Sequence, residues 1–109
     1  MENERAGIPM AVLMRMKQIR IAGEAVQPLM HIFTETYGKG MSKAFISNSS
    51  FIEQTGMLPQ AFIRARTRLQ QMSIIKVQKG QYGAMYEINE PSKWKSFDEI
   101  KPENGKKLT

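Results

Sequence analysis

Three features of the sequence predict a mainly α-helical domain carrying a small β-hairpin. A short amphipathic segment, ISNSSFIEQTG, opens with Ser47 in an N-cap position and closes on Gly56. The next stretch, MLPQAFIRARTRLQQMSII, places Leu58, Phe62, Ala65, Leu69 and Met72 at intervals of four, three, four and three, which is one buried stripe on a longer helix. Then KVQKGQYGAMYEIN alternates. Ile75 and Val77 precede a Gly80-Gln81-Tyr82-Gly83 turn, and Met85 and Ile88 follow it, so two strands are joined by a glycine turn. Helix, tight turn, helix and hairpin, in that order, predict a winged helix-turn-helix whose second helix is offered to DNA.

Taken in order, residues 1–22 are expected to form an N-terminal arm and a first helix. The first seven residues are charged and small, and are expected to fray. From residue 9 to about residue 18, Val12, Leu13, Met16 and Ile19 share one side, with Arg15 and Lys17 outside. Residues 23–90 make the domain proper. A helix over 23–37 turns Val26, Leu29, Met30, Ile32 and Phe33 inward and ends at Gly38 and Gly40. Pro28 either bends this helix or marks where its regular part begins. Residues 39–43 are a basic loop, and Phe45 with Ile46 forms a short strand that pairs with the hairpin. Phe51 and Ile52 point inward from the helix after it. Pro59 falls in the first turn of the longer helix, where a missing N–H costs nothing. Residues 91–109 hold Pro91, Pro102, Gly105 and five lysines, the composition of a basic, mobile tail, with Trp94 and Phe97 pinning its first part to the body.

A chain of 109 residues makes one domain with a single modest core. The net charge of +6 favours an anionic partner, and its distribution is informative. From Gln54 to Tyr86 there is no acidic residue, whereas Arg64, Arg66, Arg68, Lys76 and Lys79 fall inside that stretch. The alternative is a merely solvated helix face, but solvated helices ordinarily mix signs because Glu–Lys pairs stabilise them. Double-stranded DNA is therefore the expected partner. An anionic membrane fits less well, because the positive charge lies in the second helix and not on an aromatic-flanked amphipathic one. No run of about 20 apolar residues exists to span a bilayer. Residues 8–16 are interrupted by Arg15 and lack a convincing cleavage site, so a cytoplasmic location is expected.

Catalytic chemistry finds little support. Cysteine is absent, and His31 is the single histidine, so no metal set can be assembled around it and no cofactor is expected. Ser47, Ser49 and Ser50 resemble a nucleophile cluster, but no histidine-based relay is expected nearby. Helix capping and phosphate contact account for them better. The Gly80–Gly83 spacing lacks the lysine and the helix of a phosphate-cradling loop. Of the nine methionines, Met16, Met30, Met72 and Met85 are assigned to the core, while Met10, Met14 and Met57 could mark a dimer contact. The expectation is a binding protein and not an enzyme.

Bidentate hydrogen bonds would pair Gln60 with adenine and Arg64 or Arg68 with guanine, and Ile63 would meet a thymine methyl. Gln60, Arg64 and Arg68 are spaced by four, so they form one row about 150° from the buried stripe at ~100° per residue. Ser47, Asn48 and Ser49 would clamp phosphate. Lys79, Gln81 and Tyr82 on the wing would touch backbone or minor groove.

Several motifs together resemble the N-terminal domain of the phage replication protein O family. They are Ile21-Ala22-Gly23, a helix ending Thr36-Tyr37-Gly38, Ile46-Ser47-Asn48, Thr55-Gly56, the Met72-Ser73-Ile74-Ile75 exit, and Trp94 shortly past the hairpin. The resemblance covers roughly residues 20–94. It implies a winged-helix origin-binding domain that docks, usually as a dimer, on repeated sequences and starts duplex opening. On matching positions it places Gln60, Ala61, Ile63, Arg64, Thr67 and Arg68 toward the major groove. Leu58 and Pro59 depart from the Ser or Thr cap frequent in such helices. The family also carries a further domain that recruits helicase-loading partners, so replisome proteins are implied partners if this chain belongs to a longer one. A transcriptional repressor would use the same residues. A protein-interaction module of the same shape is the reading from another class, and it would expose Met10, Met14, Met57 and Ile63 together.

Overall fold

A computed structural model describes residues 7–100. Helix α1 (Met10–Met16) is followed by a 3-10 turn (Gly23–Ala25), α2 (Val26–Glu35), a second 3-10 turn (Tyr37–Lys39) and β1 (Lys43–Ser47). Then come α3 (Asn48–Thr55), α4 (Pro59–Gln71), β2 (Ile75–Lys79), β3 (Gly83–Ile88), a third 3-10 turn (Pro91–Lys93) and α5 (Phe97–Ile100). The three strands form one antiparallel sheet in the order β1-β3-β2. The architecture is mixed α/β, a helix-rich domain with a hairpin.

Local chemistry sets the element ends around α3 and α4. Ser47 is extended and its Oγ accepts the Ser50 backbone N–H at 3.1 Å, which satisfies one of the orphan donors of α3. Gly56 closes α3 with a φ of 73°, a left-handed conformation that favours glycine. Leu58 is the extended residue before α4, and Pro59 takes its first helical position. At the far end, the Ile74 N–H reaches Leu69 O at 3.1 Å and the Ser73 N–H reaches Gln70 O at 3.0 Å, the two bonds of a Schellman ending. Ser73 provides the left-handed residue at a φ of 59°, where glycine is usual. Asn89 Nδ2 donates to Ser73 O at 2.9 Å and holds that turn against the exit of β3.

The core centres on Phe51, which is fully buried. Its ring stacks on Phe62 with centroids 4.5 Å apart, leans on Tyr86 at 5.2 Å and receives the His31 ring edge-on at 5.0 Å. One ring from α3 thus fixes α2, α4 and β3 relative to one another. Ala65, Leu69 and Met72 continue the α4 stripe, while Leu29, Ile32 and Phe33 supply α2. The chain after the hairpin belongs to the same body. Trp94 is buried and donates its Nε1–H to Asn89 O at 3.0 Å. Arg20 ion-pairs with Asp98 at 2.6 Å, and the Phe97 N–H bonds Arg20 O at 2.7 Å, so residues 91–100 are tied to the α1–α2 connection. Phe97 packs partly buried against the core as expected, whereas residues 101–109 of the expected tail and residues 1–6 of the arm lie outside the described residues.

Several inward assignments are corrected. Leu58 is 75% exposed, because an extended N-cap residue leaves the helical phase of the stripe that follows it. Leu13, Val26 and Met30 are exposed. The buried stripe of α2 runs through Pro28, Leu29 and Ile32, and Val26 with Met30 forms the next row round the helix. Met85 is only half-buried, since β3 turns Ala84, Tyr86 and Ile88 to the core and Met85 to the outer sheet face opposite exposed Phe45. Arg15, expected outside, is half-buried and donates to Pro91 O at 3.2 Å and Trp94 O at 2.6 Å. Pro28 sits in the first turn of α2, after the 3-10 turn, so the regular helix begins just before it.

Candidate nucleic-acid interface

The exposed side of α4 has a centre and two edges. At ~100° per residue, Gln60 and Thr67 lie opposite the buried stripe, Ile63, Arg66 and Gln70 form one edge, and Arg64 and Arg68 form the other. The two edges face different neighbours. Arg64 Nε donates to Glu24 Oε1 at 3.0 Å, beside the 3-10 turn that precedes α2. Arg68 Nη1 donates to Gln71 Oε1 at 3.0 Å, and its guanidinium lies 5.8 Å from the Phe97 ring centroid. The row of Gln60, Arg64 and Arg68 thus ends in two arginines engaged with the chain's own segments. Ala61 is half-buried, and Thr67 donates its hydroxyl to Ile63 O at 3.0 Å.

The Ile63–Arg66 edge faces the start of α3 and the hairpin. Arg66 Nη1 donates to Tyr86 Oη at 3.1 Å, and its guanidinium carbon stands 5.1 Å from the Phe62 centroid. Stacking and hydrogen bond together hold this side chain in place before any ligand arrives. Burial raises the Tyr86 phenol above its ordinary pKa, against the lowering effect of Arg66, so the hydroxyl stays protonated. Beside Arg66 opens a pocket of about 240 Å³. Its apolar lining is Ile52, Pro59, Phe62 and Ile63, and its polar lining is Asn48, Ser49 and Arg66. Ile63 is 51% exposed at the rim of this pocket.

The hairpin adjoins this edge. Asn48 donates its backbone N–H to Tyr82 O at 2.9 Å, which ties the turn to the first residue of α3. Gly83 is required here: a Cβ would come within 2.5 Å of Ile46 O and 2.6 Å of the Ser47 Cα. In β2, Ile75, Val77 and Lys79 oppose Ile88, Tyr86 and Ala84, the buried residues of β3. Lys79 therefore lies on the helix-facing side of the hairpin, beyond the end of the core. Gln81 and Tyr82 are exposed at the turn, Tyr82 at 73%. Ser47 has its Oγ committed to the cap and 3.3 Å from Ser49 Oγ, whereas Asn48 and Ser49 are exposed.

Of the sequence-predicted residues, the structure brings Asn48, Ser49 and Ile63 together in the pocket beside Arg66, with Ser47 at the adjoining cap and Gln81 and Tyr82 in the turn tied to Asn48, while Lys79 ends β2 and Gln60 and Thr67 lie at the centre of the exposed side of α4. Arg64 and Arg68 fall on the opposite edge. Arg66 was missed as a site residue: Phe62, four residues before it, is within ordinary helical reach, but the bond to Tyr86 comes from a strand 20 residues away, which helical spacing does not reveal. The expectation that no histidine lies near the serines is also corrected. His31 Nε2 is 2.8 Å from Ser50 Oγ, a bond that joins α2 to α3. Burial lowers the His31 pKa below 6.5, with Glu35 opposing and Lys39 assisting. Among the described residues, no three His, Cys, Asp or Glu side chains are grouped to hold a metal ion, and no helix is long and apolar enough to cross a membrane. Comparison with protein-family models, curated proteins and solved structures gives no match to this chain.

Proposed function

We propose that this protein is a non-catalytic, sequence-specific binder of double-stranded DNA built as a winged helix-turn-helix, with α3 and α4 as the helical pair and β2–β3 as the wing. The observation that carries this reading is the shared edge of α4, the α3 N-terminus and the hairpin. It combines a pre-held arginine, exposed polar side chains at a helix start and a lysine on the hairpin. Residues 43–88 contain six basic residues against two acidic ones, and neither Glu53 nor Glu87 lies on α4 or at the hairpin tip. In this reading Arg66 pairs with guanine and Gln60 with adenine in the major groove, while Asn48, Ser49 and Lys79 hold phosphates. Arg64 and Arg68 are secondary, because their partners Glu24 and Phe97 hold them on the edge of α4 away from the start of α3 and the hairpin.

The resemblance to the replication protein O family implies the cellular role we propose, origin binding during replication of a phage or mobile element. A repressor would bind through the same edge, and the location of the sites, at an origin or at a promoter, separates the two. Exposed Met10, Leu13 and Met14 on one side of α1 support a homodimer of this chain. Selection from a random duplex pool tests the proposal. An enriched motif is expected, and a palindromic or directly repeated motif would report the geometry of a dimer. Binding without any enriched motif contradicts sequence-specific reading, and an absence of binding contradicts the function as a whole.

A further inference from the structure

We infer that the pocket beside Arg66 takes the 5-methyl group of a pyrimidine whose neighbouring base pair presents guanine to Arg66. This inference rests on the duplex-binding reading above. Two independent features point to it. The first is the pocket's chemistry. Ile52, Pro59, Phe62 and Ile63 make an apolar recess at the surface, and its opening is edged by hydrogen-bonding groups of Asn48, Ser49 and Arg66. In the major groove the apolar feature on a base edge is the thymine C5-methyl, flanked by donors and acceptors. The apolar recess suits that methyl group, whereas a phosphate would gain nothing from it.

The second feature is the state of Arg66. Of its five N–H donors, the bond to Tyr86 Oη occupies one, and the ring of Phe62 supports one face of the guanidinium. Phe62 also lines the recess, so the side chain that seats the methyl seats the arginine too. The reading group and the methyl site are thereby held side by side. Guanine O6 and N7 accept from arginine in bidentate fashion, so one pocket reads two adjacent base pairs: methyl-bearing pyrimidine, then guanine. Because the recess recognises a methyl group and not the rest of the base, 5-methylcytosine satisfies it as thymine does. Binding is consequently sensitive to cytosine methylation at that position.

The test uses the full chain and the duplex enriched from a random pool. Each thymine of the motif is replaced in turn by deoxyuridine, which removes the methyl and nothing else. At one thymine adjacent to a guanine, affinity is expected to fall about fourfold, the contribution of one buried methyl. In the Ile63→Ala variant the same replacement should have little effect. Ile63 is exposed, and a matched melting temperature checks that the variant folds. Cytosine at that position should bind more weakly than 5-methylcytosine, and 7-deazaguanine at the neighbour should weaken binding by removing the N7 acceptor. If the protein binds its motif but deoxyuridine is neutral at every thymine, the methyl inference is overturned and the duplex-binding reading stands. If no duplex is bound, both fall.

Discussion

At the scale of single residues, His31 shows how burial and a neighbour set the behaviour of a side chain. His31 is buried among α2 and α3, next to Phe51, and bonded to Ser50. Its lowered pKa means that the folded protein binds a proton less readily than the unfolded chain. The stability it contributes is therefore present above about pH 6.5, the ordinary value, and is lost as the pH falls through the lowered folded value. Chemical denaturation across that range should show stability declining toward acid, and a His31→Gln variant should decline less steeply. Equal slopes would mean that other groups carry the acid sensitivity. Arg64 offers the opposite case. Its partner Glu24 leaves the pair largely exposed, with Arg64 at 58%. Such pairs contribute little, so Arg64→Ala should change stability by no more than about 1 kcal/mol.

At the scale of elements, the aromatic cluster and the glycine turn explain why helices and hairpin meet as they do. Phe62→Ala removes the ring that stacks on Phe51 and supports Arg66. It should destabilise the domain by roughly 3–5 kcal/mol in denaturant unfolding, and an unchanged midpoint would place the hub of the core elsewhere. Gly83→Ala would force β1 from β3, because the added carbon meets backbone atoms of Ile46 and Ser47. That variant should lower the melting temperature clearly more than Ala replacement of the exposed Gln81. These elements were legible in the sequence to different degrees. The cap at Ser47, the exit at Gly56, the start at Pro59 and the stripe of Phe62, Ala65 and Leu69 depend on local spacing, so they could be read directly. The phase of β3 was misread, because Met85 and Ile88, three residues apart, stand on opposite faces of a strand, and it is Ile88 with Tyr86 and Ala84 that faces the core. The side-chain partners around α4 were not legible. Nothing in spacing couples Arg66 to Tyr86, or Glu24 to Arg64 across 40 residues of chain.

At the scale of the whole molecule, residues 91–100 close the body by joining the end of the hairpin to the α1–α2 connection. Trp94 is buried in the common core, and the Lys95 N–H bonds Met72 O at 2.7 Å. Trp94→Ala should cost roughly 3–5 kcal/mol and shift global unfolding followed by circular dichroism, and an unchanged midpoint would contradict this closing role. The closure also determines which edge of α4 is open. With Glu24 and Phe97 engaging Arg64 and Arg68, the edge left for a ligand is the one shared with the α3 start and the hairpin. Duplex DNA laid along that edge would meet Arg66 as a base reader and Lys79 as a phosphate contact. The most direct measurement is the affinity of the wild type, Arg66→Ala and Lys79→Ala for the selected duplex and a scrambled one across a salt series. Arg66→Ala should lose roughly 1–3 kcal/mol on the selected duplex and much less on the scrambled one. Lys79→Ala should weaken both alike and reduce the salt slope by about one. Equal losses on the two duplexes for Arg66→Ala would contradict the account, because that arginine would then be holding phosphate and not reading a base.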